Sequence, residues 1–220
     1  SERYQALQMK VERPFSRGIS LTAAYNYNRE WTDGYFNDPD IYANQLTRIP
    51  AASPRHRMSA GVSYDLPFGR GRKFLSNLHP VLNAMIGGWI TSHIYMWNSG
   101  SFLRFGQLIV NGDPVLDNPT RDKWFNTGAF TAPQGYTPRT NPYQYDGLTG
   151  PGYWNLDSTI SKNFQLNERF RMEFRLETYN TTNSFMLSNP SVDVYSSLFG
   201  RSTNQANTGR EMQYTLRLHF

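Results

Sequence analysis

The segment Arg169 to Glu177, RFRMEFRLE, sets an ionised side chain at every second position: Arg169, Arg171, Glu173, Arg175 and Glu177. Spaced by two, all five share one face of an extended strand, and Phe170, Met172, Phe174 and Leu176 share the other. Alternating charges on a wet face can hold a docked domain or guide a solute through charge-assisted hydrogen bonds. They can equally neutralise one another along the wall. Asp157 and Arg217, with Lys10 and Glu12, fall on the equivalent face of other alternating segments. Arg171, Glu173, Arg175, Asp157 and Arg217 are therefore the leading contact candidates on that face. A second set lies between Gly100 and Gly152, where Trp124, Phe125, Phe130, Tyr136, Tyr143 and Tyr145 stand among Asn, Gln and Asp. Rings beside amides and carboxylates suit sugars or peptides, and they also pack a long loop against its neighbours. Trp124 and Tyr145 are the residues singled out for contact with such a ligand.

Other chemistry does not assemble. Asp33, Asp38 and Asp40 in TDGYFNDPDIY offer oxygen ligands, but not at EF-hand spacing. His56, His79, His93 and His219 have no i, i+4 pairing and no HExxH context, so no metal centre is expected. The absence of cysteine removes disulfides, thiolate zinc sites and a cysteine nucleophile together. Gly69 and Gly71, with Arg70, Arg72 and Lys73, lack the GK[ST] ending of a phosphate loop and better suit anionic lipid head groups. No Ser, His and Asp constellation can be assembled from sequence order, and no cofactor and no enzymatic activity are expected. A net charge of +5 comes from 22 Lys and Arg interleaved with 17 Asp and Glu, which does not point to nucleic acid as a partner. No run approaches the ~20 apolar residues of a helical membrane span.

The elements that position these residues are read from alternation. Arg210 to Phe220 keeps Met212, Tyr214, Leu216, Leu218 and Phe220 on one face, opposite Gln213, Thr215, Arg217 and His219. The pattern recurs in Gln5 to Glu12, Ile19 to Tyr27, Arg57 to Leu66, Trp154 to Phe164 and Arg169 to Tyr179, with Ser158 and Lys162 interrupting one apolar face. Trp89 to Asn98 reads either way; Ile90, Ile94 and Met96 are taken as outward, which turns His93 inward. Seven strands of about ten residues, apolar outside and polar inside, predict an all-β, antiparallel transmembrane barrel in contact with outer-membrane lipid. Tyr27, Tyr64, Trp89 and Trp154 near the strand ends would form its interfacial girdles. The alternatives are a complete small outer-membrane barrel acting as an adhesin or surface hydrolase, and a soluble carbohydrate-binding β-sandwich.

Loop lengths give direction. Phe15 to Gly18 and Gln165 to Glu168 are tight turns, whereas Thr32 to Pro54, Gly100 to Gly152 and Thr182 to Gly209 are long and rich in Gly, Pro, Asn and Asp. Long loops outside and short turns in the periplasm place Phe220 at the periplasmic rim, with Leu66 to Gly87 a longer periplasmic connection. An odd number of crossings makes the first and last strands run the same way, so the seven are expected not to close on themselves. Further strands before Ser1, on the same polypeptide or another chain, are expected. Phe102 to Val110 is the segment that could add an eighth crossing.

Five stretches together resemble one family: SPRHRMSAGVSYDLPFGRGRKFL from Ser53, GGWITSHIYMWNSGSFLRF from Gly87, WFNTGAFTAP from Trp124, GPGYWNLDSTISKNFQLNERFRMEFRLETYNTTN from Gly150, and the terminal YTLRLHF. The whole chain, residues 1–220, is similar to the C-terminal barrel portion of TonB-dependent outer-membrane receptors with a carboxypeptidase-regulatory-like domain, the Oar-like group of acidobacteria. The resemblance implies a 22-stranded barrel filled by a plug, importing a bulky solute such as an oligosaccharide, peptide or chelate. Implied partners are the remaining strands and plug of the same receptor, TonB acting through the plug, and the barrel-assembly machinery, which would read Phe220. Arg171, Glu173 and Arg175 then become candidate plug contacts. Signal peptide, plug, TonB-box segment and regulatory-like domain are not represented among these residues.

Overall fold

A computed structural model describes residues 2–34, 47–50, 53–135 and 144–220. Asp38, Asp40, Tyr136 and Tyr143 lie outside the described residues, and Asp33 is described in its backbone only. The strands are β1 (Glu2–Ser16), β2 (Ile19–Gly34), β3 (Thr47–Pro50), β4 (His56–Asp65), β5 (Trp89–Asn98), β6 (Ile109–Val110), β7 (Phe130–Thr131), β8 (Tyr153–Gln165), β9 (Arg171–Tyr179) and β10 (Glu211–His219), with one helix, α1 (Pro80–Ile86), between β4 and β5. Seven of them form a meander in the order β1-β2-β4-β5-β8-β9-β10, each antiparallel to the next. These are the seven segments that alternation marks. The short β3 prolongs the β2 hairpin at its far end.

The two short turns, β1–β2 and β8–β9, lie at one end of the sheet together with the longer β4–β5 connection. Arg17 (φ 54°) and Gly18 (φ 83°) link β1 to β2, both in the left-handed conformation that a two-residue hairpin turn requires. Between β8 and β9, the Asn167 side-chain oxygen accepts from the backbone N–H groups of Arg169 (2.9 Å) and Phe170 (2.8 Å). Arg169 and Phe170 therefore belong to the turn rather than to β9. Phe220 ends the chain beyond β10 at this same rim, 96% exposed.

Register resolves the two faces. One carries Gln8, Lys10, Asn26, Arg57, Ser59, Asp157, Glu173, Arg175 and Arg217; the other carries Leu7, Met9, Leu21, Met58, Val62, Leu156, Phe174, Leu176 and Leu216. β5 corrects the sequence expectation. Val62 pairs with His93, and His93 pairs with Ser158, so His93, Trp89, Tyr95 and Trp97 stand on the apolar face while Ile90, Ile94 and Met96 join the polar one. Apolar residues occur in both phases of β5, and its unambiguous neighbours β4 and β8 set the phase. His93 is accommodated by a 2.8 Å hydrogen bond between its Nδ1 and Ser158 Oγ.

Among the described residues no second layer covers the apolar face: Leu7, Met9, Val11, Tyr214, Leu216 and Leu218 remain exposed. A soluble sandwich would bury this face against another sheet. The buried hydrophobic core sits instead at the long-loop end, where Leu103, Phe105, Leu108, Phe125, Phe130 and Leu148 pack together. Phe102 to Val110 is thus not a crossing: its large side chains Phe102, Leu103, Phe105 and Leu108 enter this core or its margin. β1 and β10 each have a single partner, β2 and β9, so both outer edges of the sheet are unpaired among the described residues.

Candidate functional site

The polar wall holds its charges in short relays. Arg175 donates to Glu173 Oε1 from Nε (3.2 Å) and from a terminal guanidinium nitrogen (2.8 Å), and stands 3.7 Å from Glu177. His219 Nε2 lies 3.6 Å from the second oxygen of Glu173, and Arg217 is opposite Glu173 in the ladder. Alternating signs at i and i+2 on one strand face make these contacts unavoidable, because such residues stand side by side. Arg171 and Arg217 form no ion pair among the described residues. The cluster thus offers two guanidiniums to an anionic partner. Solvent screens the Arg175–Glu173 pair, since the Arg175 side chain is well exposed. Arg175→Ala is accordingly expected to leave the urea midpoint of the folded barrel almost unchanged; a clear fall would make the cluster a structural element.

Asp157 works differently. Its Oδ1 accepts from Asn155 Nδ2 (2.8 Å) and from the backbone N–H of Asn180 (2.9 Å), where the strand leaves β9. Asn180, buried and left-handed at φ 49°, donates to the carbonyls of Ser184 and Thr208 (3.0 Å each) and accepts from Ser184 N–H (2.9 Å). Asp157 therefore anchors the base of the β9–β10 loop.

Two recesses open on the polar face. One of about 650 Å³ is flanked by the rows Gln8, Asn26, Arg57, Asn98 and Lys10, Ala24, Ser59, Met96, with the intervening row as its floor. Small Ala24 and Ser59 leave that floor uncovered. The other, about 320 Å³, lies beneath the β9–β10 loop and combines the rings of Tyr153 and Tyr179 with Asn155, Asp157, Asn207 and Glu211. Rings beside carboxylates and amides are the arrangement sought in the longer loop. Period two already sets Tyr153 in phase with Asp157; its meeting with Tyr179 and Glu211 depends on the β8–β9–β10 register, which no local pattern states.

Trp124 and Tyr145 are half-buried in the loop core. Trp124 Nε1 donates to Thr149 O (2.7 Å) and its backbone N–H to Gly200 O (2.8 Å). Tyr145 meets Phe105 and Phe130 edge-on at 5.4 and 5.8 Å. Both rings tie the β5–β8 loop together, and Trp124 ties it to the β9–β10 loop, reinforced by Arg201–Asp122 at 2.9 Å. Among the described residues no group of three or more His, Asp or Glu is placed to hold a metal ion.

On the apolar face, Tyr64, Trp89 and Trp154 stand near the strand ends, joined by Trp97, whereas Tyr27 lies mid-strand because β2 continues to Gly34. Trp89 and Trp97 lie eight residues apart at the two ends of β5, about 26 Å along the strand and roughly 20 Å along the normal of a membrane it crosses at a tilt of about 40°, close to the apolar band of a membrane barrel. Lys162, also on this face, is 3% exposed and donates to the carbonyls of Ala84 and Gly87 (2.5 Å each) while lying over the rings of Phe164 and Trp89. Residues 1–213 match the family model described as outer membrane beta barrel domain. Comparisons with curated proteins and with solved structures each return no match. By that match, and by a meander with one uncovered apolar face and one charged face, the chain belongs to the outer membrane beta-barrel domain family and resides in the bacterial outer membrane.

Proposed function

We propose that the chain forms the C-terminal arc of the barrel of a TonB-dependent receptor, supplying wall and external loops for uptake of a bulky solute. The observation that carries this reading is the open sheet: β1 and β10 point the same way and each lacks an outer partner among the described residues. Unpaired edges are untenable in lipid, so further strands complete the barrel, on the same polypeptide or another chain. A 22-stranded barrel leaves a bore wide enough for a plug, and Arg171, Glu173 and Arg175 face that bore with Arg217 and Asp157. The loops form a roof with its own core, where Trp124 and Tyr145 offer part of their ring surface to an arriving oligosaccharide, peptide or chelate. On this reading the chain itself catalyses nothing; TonB acts through the plug.

Disulfide or photochemical cross-linking from position 175 in outer membranes tests the assignment. Capture of a plug-bearing segment from Arg175→Cys, and not from Phe174→Cys, is the expected result. Recovery of the 220 residues as a folded, detergent-soluble monomer with no other protein would instead favour a complete small barrel acting as an adhesin or hydrolase.

The receptor resemblance implies that Phe220, exposed beyond the end of β10, is read by the barrel-assembly machinery. Deleting Phe220 is expected to lower the amount of barrel in the outer membrane severalfold without weakening solute binding by the protein that does insert. Surface levels equal to wild type would remove that role.

A further inference from the structure

The connection between β4 and β5 is the one short-end connection that folds into more than a turn. Its helix α1 is held by three contacts with the apolar face or its margin: Lys162 Nζ on the carbonyls of Ala84 and Gly87, and Trp89 Nε1 on Met85 O at 2.9 Å. Lys162 and Trp89 are both apolar-face residues, so α1 is fastened to the outside of the barrel and not under the bore. A lysine on that face is otherwise costly. Here the free carbonyls at the helix C-terminus take up its charge.

One helix side serves the protein: Asn83 Oδ1 accepts from Arg70 N–H at 2.6 Å and anchors the preceding loop. The opposite side presents Val81, Leu82, Met85 and Ile86, spaced i, i+1, i+4, i+5, with Val81 62% and Met85 66% exposed. Phe68 and Phe74, their rings 5.8 Å apart, are exposed beside them. Arg70, Arg72 and Lys73 complete the loop with exposed cations, of which Arg72 reaches Asp65 at only 3.5 Å. Apolar side chains and clustered cations on one short segment, continuous with the lipid-facing wall, are the two halves of an interfacial membrane contact.

We propose that residues 66–88 form a lipid-holding collar at the periplasmic rim. The apolar side of α1 enters the acyl boundary of the inner leaflet, and Arg70, Arg72 and Lys73 engage the phosphates of anionic phospholipid held against the barrel. Lys162 sets the helix at that depth. The occupant is the bilayer lipid itself, because the segment couples phosphate-binding cations to an apolar helix face that a soluble phosphate would leave in water.

The test uses the full-length protein in nanodiscs of phosphatidylethanolamine with or without phosphatidylglycerol. Phosphatidylglycerol retained through native mass spectrometry is expected to fall roughly fivefold for each cation neutralised in the series Arg70→Gln, Arg72→Gln and Lys73→Gln. Inorganic phosphate at millimolar concentration is expected not to displace the lipid. A spin label on Met85→Cys should collide with oxygen rather than with a water-soluble nickel chelate, and Lys162→Met should shift that balance toward the chelate. Equal lipid retention by wild type and the triple variant, displacement by phosphate, or a label at position 85 equally open to the chelate in wild type would each overturn the proposal. None of these readouts depends on TonB or on transport.

Discussion

Phe174→Arg is expected to deplete folded barrel from the outer membrane, by less than the about 2–4 kcal/mol that a cation costs at the bilayer midplane, because Phe174 shares a row with Lys162 and with Trp89 of the interfacial girdle. Phe174 is near the middle of β9 on the apolar face, edge-on to Trp89 at 6.0 Å. It is also directly opposite Lys162 on β8. The new guanidinium would therefore add a like charge beside the one cation that α1 already neutralises, and the backbone carbonyls that Lys162 uses cannot serve both. Heat-modifiable mobility on gels reads the folded fraction. Normal mobility of the variant would mean that this face does not meet lipid.

Phe125→Ala is expected to disorganise the external loops while the barrel stays folded. The ring is fully buried among Phe105, Phe130 and Phe199, at centroid distances of 5.3, 5.6 and 5.1 Å. Removing a phenyl ring from such a site costs about 3–5 kcal/mol. The cost falls on the loop core alone, because that core shares no buried residue with the sheet. Gly200 is packed against the same ring and against Thr127, with φ 77°, so the loop has little freedom to refill the space. Limited proteolysis of intact cells should then cut within residues 99–152 and 180–210, with the gel shift of the barrel retained. Uncut loops would show that they are held by contacts other than this core.

Much of this architecture is written in period two. Six of the seven crossings have one polar and one apolar phase, and the sheet follows them, because reversing a phase would carry every charge of the strand into lipid. β5 is the exception for a physical reason. Ile90, Ile94 and Met96 compete with Trp89, Tyr95 and Trp97, so only pairing with β4 and β8 decides, and the larger aromatics take the outer face. Ser158 and Lys162 look like blemishes along β8; each has a partner distant in sequence, His93 for one and the end of α1 for the other. The loop core was equally hidden. Phe105, Phe125, Phe130 and Leu148 follow no common period, and what joins them is the meeting of two loops separated by β8 and β9. For the same reason the part that Trp124 and Tyr145 play in joining the roof is not visible in their residue types, and the Tyr153 and Tyr179 recess emerges only from strand pairing.

The division into a lipid-facing and a water-facing side is tested most directly by nitroxide scanning of positions 171 to 178 in native outer membranes, a stretch of a chain that contains no cysteine of its own. Collision rates with oxygen should peak at 172, 174 and 176, and those with a water-soluble nickel complex at 171, 173, 175 and 177. Profiles without a two-residue period, or with the two sets of positions exchanged, would contradict it.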